Sequence, residues 1–270
     1  FFGKNFTPEE AQDFIENVQA DRGIKYPRNF EEHALRHVGR SLYEAFFKGY
    51  TLKQWEIHPR NLPAAILQRL PVRYTADDNY YNDTFQGIPE DGYTVMVQRI
   101  LDHPGIRLEL GTRFEEIDPG GFLHVFYSGR LDRYFGYRFG SLGYRTLKFE
   151  EFHPLSSPGG DFQSCALMNF CDIEVPYTRI TEHKHFAPWE SHRETVCTRE
   201  YSRTCGSGDT PFYPVRLAGS DRVLERYLAE SGRLSGTTLV GRLGTHRYLD
   251  MHRAVSEALA AARHFLENRI

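Results

Sequence analysis

Residues 237–270, TTLVGRLGTHRYLDMHRAVSEALAAARHFLENRI, are the stretch whose reading decides the fold. Thr237 to Val240 is a β-branched and apolar run long enough for one buried strand. Gly241 and Gly244 permit a sharp turn or a close backbone approach. From Leu249 onward Met251, Ala254, Val255, Ala258, Leu259, Ala262, Phe265 and Leu266 recur at helical spacing. Strand, glycine turn and long helix form a unit by which α/β proteins aim a positive helix N-terminus at an anionic or electron-rich ligand. Asp250 in the first turn suits that dipole, and Arg242 sits in the turn with its charge free. The plainer reading is a terminal helix packed on a sheet, with Arg242 on the surface.

Working back from that unit, Thr7-Pro8-Glu9-Glu10 is a capping box with proline at the first helical position. Asn29 with Glu32 opens a second helix, whose face Ala34, Val38, Leu42, Ala45 and Phe46 runs to an end near Gly49. Residues 57–92 are rich in proline and turn residues, and a helix is expected over 93–101. The runs IRLEL (106–110) and FLHVFY (122–127) read as strands. From Tyr144 the period becomes two in YRTLKF, SCALMNF, PYTRITEHKHF and ETVCTREY, which predicts an antiparallel sheet; a short helix follows over 221–231. The order of these elements argues for a multi-part α/β protein.

Composition narrows the function classes. A net charge of −3 with 26% charged residues carries no basic excess for nucleic acid, and no apolar run approaches the ~18 residues of a membrane span. The chain opens FFGKNF, from which no signal peptide is expected, and its four cysteines lack CxxC spacing and read as reduced cytoplasmic thiols. There is no GxSxG elbow, no GxGxxG and no phosphate loop. Three stretches can carry chemistry. In FFKGYTLKQW (46–55), Tyr50 and Trp55 follow a helix end, where they either stack on a ligand ring or staple the loop to the core. In QRLPVRY (68–74), Arg69 and Arg73 offer forks suited to a diphosphate, or are surface arginines. In VPYTRITEHKHF (175–186), Tyr177, Arg179, Thr181, His183 and His185 share one strand face. Its HxH invites a metal, but no acidic or cysteine ligand lies nearby at metal-site spacing, so histidines bonded within the sheet are expected and no metal.

Taken together, KGYTLKQW, LPAAILQRLPVR, DDNYYNDTFQGIPEDGYTVM, VFYSG, GYRTLKFE, VPYTRITEHKHF, TREYSR, PFYPVR and VGRLGTHRYLDM occur in the order found in bacterial UDP-galactopyranose mutases, and the chain resembles that family from Phe1 to Ile270. The resemblance implies an α/β fold: the remnant of an FAD-binding Rossmann-like domain (93–137 and 236–270), a helical substrate-binding domain with a mobile loop (1–92), and an antiparallel sheet domain (138–235). It implies a cytoplasmic, homodimeric flavoenzyme that interconverts UDP-galactopyranose and UDP-galactofuranose, with no nucleic-acid partner and no membrane insertion. In that chemistry N5 of reduced FAD attacks the anomeric carbon, UDP leaves, and the covalent flavin–sugar adduct opens and recloses. By the same resemblance Arg69 and Arg179 clamp the diphosphate and Tyr213 and Tyr248 bond its phosphates. Phe46, Tyr50, Thr51, Trp55, Tyr80 and Asn169 line the uridine and sugar pocket. Arg242, Leu249, Asp250 and Met251 contact FAD, and Glu200 stands near the sugar.

Three positions depart from the family pattern: Glu56 for glycine, Arg130 for proline and His246 for an aromatic residue. The family also opens with a strand–GxGxxG–helix unit, and the chain begins after it. The expectation is therefore a piece of a longer enzyme that by itself binds FAD weakly, is catalytically inactive, and leaves the strands near 123–127 and 237–240 as sheet edges. Two alternatives stand beside the mutase reading: a flavin mutase acting on another nucleotide sugar such as dTDP-fucose, and an inactive module that only binds sugar nucleotide.

Overall fold

A computed structural model describes residues 1–68, 72–75, 77, 81, 83–154, 160–219 and 221–268. The expected site residues Arg69 and Tyr80 lie outside the described residues. The chain is a mixed α/β protein: helices lead, a five-stranded antiparallel sheet follows, and a small parallel strand pair is flanked by the last helix.

Helix α1 (Pro8–Asp13) starts at the expected capping box, with Glu10 N–H donating to Thr7 Oγ1 at 3.2 Å and Thr7 N–H to Glu10 Oε2 at 2.8 Å. Helix α2 (Phe30–Leu42) is capped by Asn29, whose Oδ1 accepts from Glu32 N–H at 2.9 Å. It kinks at Gly39, where φ is 78° and a Cβ would lie 2.0 Å from Gln19 O. The expected end near Gly49 does not occur. The chain continues through a π-helical turn (Tyr43–Lys48) into α3 (Gly49–Trp55) and stops at Glu56, the left-handed residue with φ 52°. Gly49 is itself right-handed helical, so Tyr50 and Trp55 sit on a helix rather than after one.

Two short helices, α4 (Ala65–Gln68) and α5 (Gly92–Leu101), precede β1 (Val125–Tyr127) and α6 (Leu131–Tyr134). Residues 106–110 form no strand: Ile106, Leu108 and Leu110 are exposed, and no described strand pairs with them. The antiparallel sheet contains β2 (Tyr144–Phe152), β3 (Leu167–Asn169), β4 (Arg179–Glu182), β5 (Cys197–Thr204) and β6 (Tyr213–Pro214), in the order β3-β4-β5-β2-β6. β4 ends at Glu182 and residues 183–186 turn as a 3-10 helix, so His183 and His185 leave the alternation that would have put them on the face of Arg179. After α7 (Arg222–Ser231), β7 (Thr237–Leu239) pairs in parallel with β1, so these two strands are each other's neighbours. A short turn of helix, α8 (Gly241–Gly244), leads to α9 (Met251–Glu267). Phe265 packs on Phe126 and His124, but Met251, Val255, Leu259 and Leu266 of the expected apolar face are exposed, because a pair of three-residue strands covers little of a 17-residue helix.

One core holds Phe30, Ala34, Leu35, Tyr43, Trp55, Leu62 and Leu67, with Tyr213 and Tyr248 packed against it. A second joins Leu131, Leu142 and Tyr144 to Leu224 and Tyr227. The first core thus seats the inner ends of α2 and α3 against the sheet, and the space above that junction is the site.

Candidate active site

Strand register builds the polar centre. Asn169 of β3, Arg179 of β4 and Glu200 of β5 are direct cross-strand partners, which puts all three in one row on one face. Helix α3 lies over that face and supplies Tyr50. Arg179 Nε donates to Asn169 Oδ1 at 2.9 Å, and Nη2 donates to Tyr50 OH at 3.3 Å. Nη1 stands 3.8 Å from Glu200 Oε2. Burial pushes the Glu200 carboxyl up from its ordinary range, with Arg179 opposing. Burial would lower Arg179, but Tyr50 and Glu200 beside it outweigh that and raise it. The guanidinium is therefore a fixed cation with a buried counter-charge behind it and an open cleft in front.

The opposite wall is aromatic. Tyr213 and Tyr248 stack with ring centroids 5.4 Å apart and planes 2° apart. Arg242 lies over both, 5.1 and 4.6 Å from the centroids, and donates to Leu249 O and Phe212 O. Its charge is thus engaged rather than free, and it ties the 245–250 loop to β6. Burial, with Tyr248 and Glu200 nearby, raises the Tyr213 phenol to about 12, so it stays a neutral donor across the physiological range.

A cleft of about 620 Å³ runs between the two walls. Phe46, Tyr50, Thr51, Trp55, Asn169, Arg179, Tyr213, Tyr248 and Asp250 line it, nine residues that the sequence scatters over more than two hundred positions. Glu200 stands behind Arg179 rather than on the cleft wall. Leu249 lines an adjoining cleft of about 580 Å³ that shares Trp55, Tyr248 and Asp250, and Met251 is exposed at the start of α9. The sequence reading missed Phe30, Phe47, Gln54, Ile66, Tyr81, Leu167 and Cys171 as lining residues. Tyr81, Phe47 and Gln54 adjoin expected residues and were within reach of the motif argument; the apolar others carry no signal that separates a cleft wall from a core.

The three departures from the family pattern each have a partner. Glu56 ion-pairs at 2.5 Å with Arg145, which is 1% exposed, and this pairing supports a left-handed glutamate where glycine is the easier choice. Arg130 pairs with the fully buried Asp132 at 2.8 Å and lies over the Tyr144 ring. His246 is completely buried against Tyr144, with Nε2 donating to Val215 O at 3.0 Å. Burial pushes its imidazole down to about 4. A folded-state value below the unfolded one means stability present above pH 6.5 and lost as pH falls toward 4. At roughly 1.4 kcal/mol per unit the full loss is about 3 kcal/mol, of which about 2 falls between pH 7 and pH 5. In His246→Phe that increment of acid sensitivity should vanish, although the hydrogen bond to Val215 O is lost at every pH. Urea titrations of both proteins at pH 7 and pH 5 measure the difference, and an unchanged gap would rule out His246 as its source.

His185 does meet carboxylates, Glu182 at 3.1 Å and the nearby Asp161, within a group of metal-ligand type. The cation of that group is Lys184, whose Nζ lies 2.7 Å from Asp161 and 3.7 Å from Glu182. Glu182 also accepts from Phe162 N–H, Gln163 N–H and Thr195 OH, so its oxygens are committed. His183 bonds Thr198 Oγ1 at 2.8 Å. The cluster fastens the 160–163 segment to the sheet.

A mixed α/β protein whose cleft sets a half-buried arginine opposite stacked tyrosines is built to hold a polyanion with flat apolar parts. Residues 45–248 match the family model for UDP-galactopyranose mutase. The chain is 53% identical over 268 residues to a probable UDP-galactopyranose mutase of Klebsiella pneumoniae, covering 99% of this chain and 68% of the relative. It is 44% identical over 274 residues to the dTDP-fucopyranose mutase of Escherichia coli, covering 99% and 72%. Among solved structures, a crystal structure of reduced UDP-galactopyranose mutase superimposes with a TM-score of 0.62 at 14% identity, over 88% of this chain and 67% of that one. The chain belongs to the UDP-galactopyranose mutase family and is an isomerase of that type. Among the described residues no helix is long and apolar enough to cross a membrane.

Proposed function

We propose that the cleft binds UDP-galactopyranose and UDP-galactofuranose and that the chain carries the substrate half of their flavin-dependent interconversion. The observation that carries this reading is Arg179, held by Asn169, Tyr50 and Glu200 and facing the Tyr213–Tyr248 stack across a cleft of sugar-nucleotide size. In this role Arg179 and the two phenols take the diphosphate. Arg69 joins them at the diphosphate, and Phe46, Tyr50, Thr51, Trp55, Tyr80 and Asn169 shape the uridine and sugar ends. As UDP departs from the sugar, the fixed cation and the phenol hydroxyls hold the extra negative charge on the diphosphate, so the leaving group stays in register for its return.

The residues present fit one end of a flavin. Among the described residues Asp250 N-caps the 17-residue α9 without a side-chain bond to its first-turn amides, and the positive helix end there suits an electron-rich ring edge. Leu249, Asp250 and Met251 would hold that edge, with Arg242 bracing them through Leu249 O. A reduced flavin, FAD in this reading, supplies the electron-rich nucleophile for the anomeric carbon. The same reading includes the division into 1–92, 138–235 and the 93–137 with 236–270 pair, a homodimer, and a cytoplasmic place of action. The 44% identity to a dTDP-fucopyranose mutase favours a second reading in which the nucleotide sugar is dTDP-linked fucose.

Incubating the full-length enzyme with FAD, UDP-galactofuranose or dTDP-fucofuranose, and dithionite under anaerobic conditions tests both readings by chromatography of the nucleotide sugars. Conversion of the galactose pair only with dithionite is the expected result. Equal rates with oxidised and reduced flavin refute the electron-rich nucleophile, and turnover of the fucose pair alone replaces the first reading with the second.

A further inference from the structure

The underside of α3 contains an arrangement that substrate contact does not explain. Lys53, half-buried one turn after Gly49, points away from the cleft into the connection between β3 and β4. Its Nζ lies 2.7 Å from Phe170 O, 2.9 Å from Asp172 O, 2.9 Å from Val175 O and 3.0 Å from Tyr177 O. Four main-chain carbonyls thus converge on one ammonium, as they would around a bare monovalent cation. An ammonium has three N–H donors, so the fourth contact is shared or purely electrostatic. Among the described residues no carboxylate lies within ion-pair distance of it, Asp172 and Glu174 acting only from further off, and the carbonyl dipoles hold the charge. Gly49, on the same side of the helix, allows the second close contact: a Cβ there would lie 2.1 Å from Cys171 O. Residues i and i+4 of α3 therefore rivet the 170–177 connection, while Tyr50, Thr51 and Trp55 face the cleft. That connection begins one residue after Asn169 and ends two before Arg179.

We propose that Lys53 is a positioning residue for the nucleotide-sugar cleft: its ammonium closes the 170–177 connection onto α3, and so sets the distance from Arg179 and Asn169 on the sheet to Tyr50 on the helix. Without the cation the four carbonyls repel one another, the connection opens, and the Arg179–Tyr50 contact across the junction is the first to lengthen. This rests on the reading of the cleft as the UDP-sugar site.

The test measures UDP binding by isothermal titration for wild type, Lys53→Met and Lys53→Ala, each checked for folding by circular dichroism. Lys53→Met keeps most of the apolar stem without the charge, and should bind UDP roughly tenfold or more weakly, as a small misplacement of a binding group does. Lys53→Ala should bind at least as weakly and recover several-fold on adding n-propylammonium, which is the deleted part of the side chain. Tetramethylammonium at equal ionic strength has no N–H to offer the carbonyls and should restore nothing. Recovery by the primary ammonium separates a caged charge from general loss of packing. Wild-type affinity in both variants overturns the proposal, as does a loss that propylammonium leaves unmoved. If Lys53→Ala does not fold, the same comparison is made by refolding it with and without propylammonium, and failure to rescue folding also overturns it. A wild-type chain that binds no UDP overturns the site reading, and the assignment of Lys53 falls with it; wild-type binding with unaffected variants overturns the Lys53 assignment alone.

Discussion

Arg179→Ala is expected to weaken UDP binding by about 2–5 kcal/mol, the usual cost of removing one member of a hydrogen-bonded charge pair that the bound diphosphate would bury. Three neighbours bring the guanidinium to the cleft: Asn169 orients Nε, Tyr50 takes Nη2, and Glu200 balances the charge from behind. Part of the loss comes from Glu200, whose buried carboxyl is raised already and would rise further with its cation gone. Arg179→Lys should recover little, because a point charge cannot serve Asn169, Tyr50 and a diphosphate together. The double variant Arg179→Ala/Glu200→Gln should lose less than Arg179→Ala alone if the stranded carboxylate contributes. Isothermal titration with UDP, alongside circular dichroism to show an intact fold, decides the matter. Near-wild-type binding by folded Arg179→Ala would remove this arginine from the diphosphate site.

The largest expected stability effect lies at Glu182, at the other end of β4 from Arg179 and off the cleft wall. Glu182 is fully buried at the end of β4 and accepts hydrogen bonds from Phe162 N–H, Gln163 N–H, Thr195 OH and His185. Burial alone would raise its carboxyl, but these donors outweigh it and hold the group down to about 2. Glu182→Ala would leave the amides of Phe162 and the buried Gln163 and the buried Thr195 hydroxyl without their acceptor, and Lys184 without one of its counter-charges, and should cost about 3–5 kcal/mol. Glu182→Gln keeps the shape and one acceptor oxygen, and should cost about half as much. The sign with pH follows from the lowered value: the carboxylate stabilises the fold above pH 4.5, and that contribution disappears as pH falls toward 2. Chemical denaturation of the three proteins at neutral pH supplies the numbers. A loss below about 1 kcal/mol for Glu182→Ala would mean that water replaces the carboxylate at little cost.

Local chemistry was legible wherever a short-range rule governs it. The Thr7–Glu10 capping box, the Asn29 cap, the antiparallel strands after Tyr144 and the closing strand–turn–helix are all written within a few residues of where they act. The motifs likewise named Tyr50, Trp55, Asn169, Arg179, Tyr213, Tyr248 and Asp250, which line one cleft. What went astray depended on partners distant in the chain. Gly49 has the composition of a helix stop, yet it is helical, because its missing side chain serves the approach of Cys171 O from more than a hundred residues away. Ile106–Leu110 has the alternation of a strand but no described strand to pair with, and Arg242 had no visible acceptor until the 245–250 loop folded back on it. Residue type and spacing by themselves determined the helix starts, the strand period and the family. Register, the Asn169–Arg179–Glu200 row, the carbonyl cage around Lys53 and the committed oxygens of Glu182 were decided only by tertiary structure, because hydrogen bonds and ion pairs act over a few ångströms and only folding brings those atoms that close.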